Sequence, residues 1–191
     1  GKSRTANRAA RASPQSFMSG GAAIASVEAS AAKRTERLND AARDRSFANV
    51  RPRDAATLIL IDRSETVPKV LLGRRHKRHR FLPGKFVFPG GRVEKTDRLM
   101  STLAPLHAHD TARLLRRVKR PSPAKAAAFA LAAIRETYEE TGLMLGANHA
   151  RAFAAPAGAW QAFAGAGVIP DLSTIHFVAR AITPPRRPRR F

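Results

Sequence analysis

The spacing of apolar positions changes as the chain runs from residue 54 towards residue 185. Ala55 to Ile61 is a continuous β-branched and aliphatic run of strand length, followed by the polar turn Arg63-Ser64-Glu65-Thr66. Val67 to Leu72 then reads as a second strand, so a hairpin is predicted to open the domain, and Pro68 places that strand at an edge or an entry. Phe86-Val87-Phe88 is a short apolar strand that breaks into a Pro89-Gly90-Gly91 loop. Beyond it, two short helices are predicted over Leu99 to Leu106 and Thr111 to Val118, closed by Pro121-Ser122-Pro123. From Ala124 to Thr141 there is neither Gly nor Pro, and alanine and leucine dominate, which predicts one long helix. Ser122 suits its N-cap, Pro123 its first position, and Gly142 its stop. A short amphipathic helix follows near Gly158 to Ala164, carrying the sole tryptophan, Trp160, expected to pack. Ser173 to Ile182 alternates as a strand does and ends at Thr183-Pro184-Pro185.

Residues 1–50 break this pattern, apart from a short helix predicted around Ser30 to Arg45. Rich in Ala, Ser, Gly and Arg and poor in aromatics, this basic extension cannot bury enough surface to offset its ordering entropy, and is expected to be disordered. Its first residues are Arg- and Ser-rich and acid-poor like a transit peptide, but Met18 offers a start, and residues 1–17 are read as upstream of it. The folded domain is therefore placed at residues 51–191.

Charge adds a partner class. The formal net charge of +21 calls for an anionic partner: nucleic acid, an anionic membrane face or a polyphosphate. Six basic residues and no acid lie between Arg74 and Lys85, and seven stand against Asp110 between Arg98 and Lys125. An Arg-rich proteome would produce part of this excess with no function attached. The absence of cysteine excludes disulfides and thiolate metal sites and fits a reducing compartment, so a cytoplasmic location is expected. No apolar run is long enough for a membrane span.

The long helix carries the candidate chemistry. Glu136, Glu139 and Glu140 stand at i, i+3 and i+4, which puts three carboxylates on one helical face. Like charges at that spacing repel by about 0.2–0.5 kcal/mol per pair, so a compensating cation is expected. Mg²⁺ prefers such oxygen donors and commonly joins carboxylates to substrate phosphates. Arg135, one turn before Glu139, is placed to orient it. The plain alternative is a solvated acidic patch.

With the upstream Phe-Pro-Gly-Gly, these residues resemble the signature of the Nudix hydrolases, G-x5-E-x7-R-E-U-x-E-E-x-G-U with U a bulky aliphatic. Gly91 matches the opening glycine, and Arg135-Glu136-Thr137-Tyr138-Glu139-Glu140-Thr141-Gly142-Leu143 matches the closing half, with Thr137 in place of an aliphatic. Asp97 stands where the first Glu is expected, the peripheral carboxylate in the family's metal scheme. An insert at about 98–123 separates the halves. Leu71 to Gly91 is similar to the segment preceding the box in coenzyme A-cleaving members, with Arg75, Arg80, Gly84 and Phe88-Pro89-Gly90-Gly91 at matching positions, and Gly73 and His76 replacing Thr and Ser.

The resemblance implies an α/β fold with a mixed sheet sandwiched between helices. It implies hydrolysis of a diphosphate linkage in coenzyme A or an acyl-coenzyme A, releasing two phosphate monoesters. Glu136, Glu139, Glu140 and the Gly90 carbonyl would hold Mg²⁺ or Mn²⁺, Arg135 would orient a glutamate, and Arg75, Arg80 and Gly91 would bind substrate. The expected partner is a small-molecule diphosphate in preference to nucleic acid. His76 and His79, without acidic neighbours in a cationic surround, are read as solvated. The insert's arginines either clamp a far phosphate or form a solvated basic excursion. The resemblance implies that one of the motif's glutamates or a later Glu deprotonates the attacking water; such folds continue past the last strand read here, so C-terminal truncation is expected, together with loss of the later part that often supplies that base. The competing class is a basic RNA- or anion-binding module on the same fold without hydrolysis.

Overall fold

A computed structural model describes residues 48–74, 84–186 and 190–191, together with positions 30, 32, 33 and 36, which are helical. The chain divides into a unit over Gly1–Ala48 and a unit over Asn49–Phe191, and everything below concerns the second.

Helix α2 (Pro123–Thr141) is its axis. It starts where the local chemistry dictates: Ser122 is extended, its hydroxyl accepts from the Lys125 N–H, and Pro123 occupies the first turn. It stops at Gly142, whose φ of 77° is left-handed and whose N–H bonds the Tyr138 carbonyl at 2.7 Å. Ala130 through Arg135 are all buried, so this stretch is enclosed all round. Its alanines let neighbouring elements approach the backbone, while Leu131 and Ile134 fill the core with Met100, Trp160, Phe163 and Leu172. Each fully buried aliphatic of that kind contributes roughly 1.5–3 kcal/mol. The Phe163 ring tilts against Trp160 at 5.0 Å and meets Tyr138 edge-on at 5.3 Å, which docks α3 (Ala159–Gly165) on α2.

The strands are short and antiparallel, and among the described residues they form four two-stranded ladders. β1 (Ala55–Thr57) pairs with β6 (Gly90–Arg92), β2 (Ile61–Asp62) with β3 (Lys69–Val70), β4 (Gly73–Arg74) with β5 (Phe86–Val87), and β7 (Ala147–Asn148) with β8 (Val168–Ile169). The architecture is α/β. The predicted hairpin is present, but the single strand over Ala55 to Ile61 divides because its partner changes. Leu58 N–H bonds the Pro89 carbonyl at 2.9 Å on the β6 side, whereas Leu60 accepts from Leu71 N–H at 3.1 Å on the β3 side. Gly90-Gly91, expected as a loop, is strand.

Helix α1 (Ala108–Leu115) begins and ends three residues before the predicted Thr111 to Val118. Leu99 to Leu106, expected as a helix, is not one. Its backbone is used elsewhere: Leu103 N–H donates to the Pro170 carbonyl at 2.8 Å and the Ala104 carbonyl accepts from Leu172 N–H at 3.1 Å. Ser173 to Ile182 keeps some alternation in exposure but forms no strand. A ladder partner is missing among the described residues, and its Phe177 N–H and His176 ring instead bond the Asp110 carboxylate on α1, both at 3.1 Å. No helix among the described residues is long and apolar enough to cross a membrane.

Gly142→Ala forces a Cβ into left-handed backbone and is expected to destabilise the unit by about 1 kcal/mol, read as a lowered thermal midpoint.

Candidate active site

Strand β6 and helix α2, far apart in sequence, meet where the two halves of the motif converge. The contact is close enough that a methyl group on Gly91 would overlap the Glu136 carboxylate, so any larger residue there would have to move that carboxylate. Gly90 is equally constrained on its other side, against the backbone of Ala56 and Thr57 in β1.

Beneath this contact lies a buried ion pair. A 3₁₀ turn over Thr96–Arg98 delivers Asp97 to the flank of α2, where it is 0 % exposed while Arg135 is 2 % exposed. Arg135 Nε donates to Asp97 Oδ1 at 2.9 Å and Nη2 to Oδ2 at 3.3 Å, a two-point grip. The same carboxylate accepts from the Trp160 indole N–H at 3.2 Å and from the Glu94 backbone N–H at 2.7 Å. Arg135 Nη2 also reaches the Arg92 carbonyl at 2.8 Å, which ties β6 to the helix. Asp97 is thus buried and holds Arg135 in place, and Trp160 packs and hydrogen-bonds.

The remaining nitrogen, Arg135 Nη1, faces two of the glutamates, at 3.0 Å from Glu139 Oε2 and 3.0 Å from Glu136 Oε1. Burial opposes the arginine's charge, but Asp97, and then Glu136 and Glu139, outweigh it and hold the proton more tightly than on a free side chain. Glu136 is held above the usual carboxylate value: burial raises its pKa most, Arg135 lowers it in part, and Glu139 and Glu140 raise it again. One guanidinium, already bound to Asp97, therefore serves three carboxylates. Glu136 and Glu139 lean on it, and Glu140 is exposed.

The helix makes that acidity worse. Glu139 and Glu140 occupy the last turn of α2, the negative end of its dipole, and no basic residue shares that turn. A surplus of hard oxygen donors in such a place suits a divalent cation in donor type and charge. The structure brings Glu136, Glu139 and Arg135 together with Gly91. Among the described residues, no three acidic, histidine or cysteine side chains converge as a ready-made metal cluster. Arg75 and Arg80 lie outside the described residues, as do His76 and His79. Thr137, at the position where the motif has an aliphatic, is fully buried with its hydroxyl donating to the Ala133 carbonyl at 2.7 Å, so the substitution leaves no unsatisfied group.

The crystal structure of a Nudix hydrolase from Alicyclobacillus acidocaldarius is similar to this chain at 31% identity, with a TM-score of 0.55 over 74% of this chain and 67% of that one. The chain belongs to the Nudix hydrolases. No protein-family model matches it, and no curated protein does. Nudix hydrolases generally use divalent metal ions, in keeping with the acidic surplus at the end of α2.

Sequence reasoning overlooked three parts of this Nudix site: the depth of Asp97, its bond from Trp160, and the Arg92 carbonyl. The spacing from Gly91 located Asp97, but nothing local marks a residue as buried.

Asp97→Ala removes the two-point partner of a buried guanidinium and is expected to destabilise the domain by about 3–5 kcal/mol in chemical denaturation. Trp160→Phe keeps most of the packing and loses one hydrogen bond, for about 1 kcal/mol.

Proposed function

We propose that this Nudix chain hydrolyses a diphosphate linkage in coenzyme A or an acyl-coenzyme A, dependent on Mg²⁺ or Mn²⁺. The observation that carries the reading is the crowding of Glu136, Glu139 and Glu140 towards the negative end of α2, where one arginine already paired with Asp97 reaches two of them and Glu136 lies against Gly91. These three glutamates, with the Gly90 carbonyl, would hold the ion. When bound, such an ion screens the diphosphate charge and lowers the pKa of a coordinated water.

The chain's own residues do the positioning. Arg135 has its Nε and Nη2 engaged by Asp97 and the Arg92 carbonyl, so its Nη1 meets Glu136 and Glu139 from a fixed direction. Arg135 acts through the glutamates and is a positioning residue. Gly91 keeps β6 close to Glu136, and an added side chain would displace the carboxylate. Arg75 and Arg80 are assigned to substrate phosphates because a guanidinium matches phosphate oxygens with two donors. The support for coenzyme A is the matching order of Arg75, Arg80, Gly84 and Phe88-Pro89-Gly90-Gly91 ahead of the motif.

The test is to incubate the full chain with Mg²⁺ and, separately, coenzyme A, dinucleotides and nucleoside triphosphates, following product by chromatography. Coenzyme A turnover is expected, and turnover confined to nucleotides would remove that substrate assignment. Glu139→Gln and Glu140→Gln are each expected to lower turnover roughly 100-fold or more. Activity surviving both would refute the site. Absent hydrolysis, with RNA affinity unchanged or raised in the same variants, would point to a binding module on this fold.

A further inference from the structure

At the other end of α2 lies a cleft of about 530 Å³ lined by Arg51, Arg98, Lys119, Arg120, Ser122, Ala124 and Lys125. Five of these seven are cations, and among the described residues no carboxylate lines the cleft. Asp54 stands 3.8 Å from Lys125 Nζ, outside the lining. Among the described residues, Arg51, Arg98, Lys119 and Arg120 have no carboxylate within ion-pair distance. Like charges gathered in one concavity repel unless an anion joins them. Such a volume is that of a small-molecule site.

We propose that this cleft binds a small ligand bearing two or more adjacent phosphates, at a site separate from the hydrolytic carboxylates. Along α2 the two are apart: Ser122 precedes Glu136 by fourteen residues (136 − 122), or roughly 21 Å at 1.5 Å per residue, although Arg98 on the cleft wall directly follows Asp97. A single diphosphate cannot span that length, so the Ser122 end of the cleft does not clamp the group being cleaved. Its composition selects for clustered charge, since two lysines and three arginines exceed what one phosphate can engage. An extended nucleic-acid track is disfavoured because the adjoining cleft, which shares Arg98, includes Asp54 and Glu94 and is mixed in sign.

The loop that supplies Lys119 and Arg120 holds Arg117 and Arg120 at positive φ, 60° and 52°. Glycine adopts such angles readily, so Arg120→Gly removes a cation without disturbing the loop's path. Titration calorimetry of the full chain with inorganic triphosphate, in EDTA and free of divalent ions, tests the proposal without requiring catalysis. Saturable binding is expected, weakened at least about tenfold by Arg120→Gly or Lys119→Ala and unchanged by Glu139→Gln. An adenosine triphosphate arm decides whether a base adds affinity or the phosphates alone are read, and in either arm binding that the basic substitutions weaken upholds the site. Affinity indifferent to both basic substitutions, or no greater for triphosphate than for orthophosphate at matched ionic strength, would overturn it. So would RNA binding that tightens with strand length and exceeds the triphosphate. Loss of hydrolytic activity in the earlier assays would leave this result untouched, and the converse also holds.

Discussion

The Asp97–Arg135 ion pair holds three otherwise separate pieces in one place. Asp97 arrives on a 3₁₀ turn, Arg135 on the enclosed stretch of α2, and Trp160 on α3, and their polar atoms meet away from water. Burying such a pair is expensive, and well-packed apolar residues of equal volume are often as stable or more so. Its value here is directional. A guanidinium gripped on two of its nitrogens by Asp97 and by the Arg92 carbonyl has one orientation, and its third nitrogen can only meet Glu136 and Glu139 from one side. Aliphatic packing would hold the elements together without aiming anything.

The same geometry explains why glycine suits β6 where it touches the helix. The chain brings a strand against a carboxylate that Arg135 holds, so an added side chain would push that carboxylate away from Arg135. Precision at the acidic face is thus built from an ion pair on one flank and a contact without spare volume on the other. That face opposes helix stability in two respects, through like charges one turn apart and through carboxylates at the negative end of the dipole. A face that departs from local preference in both respects is where a ligand is expected to restore the balance.

Charge is distributed with opposite sign along α2. Acid gathers towards Gly142, where the chain is a Nudix hydrolase by its motif and by its likeness to a solved relative, while Ser122 sits among arginines and lysines. The net charge of +21 is therefore not a uniform coat. It leaves the motif's face negative, while five of its cations line the cleft at the far end of the same helix.

From the sequence alone came helix α2 almost to the residue, with its Ser122 cap, its Gly142 stop and its acidic face, because helical hydrogen bonds and capping link residues at most a few positions apart. The motif was legible for the same reason, being a pattern of spacing, and the α/β class followed from the family that the motif resembles. The tertiary structure alone decided that Leu99 to Leu106 bonds outward instead of coiling, that Ser173 to Ile182 lacks a strand neighbour among the described residues, and that Asp97 is buried. A strand or an ion pair is completed by a partner elsewhere, 38 positions away for Asp97 and Arg135, and no local preference records where that partner will be.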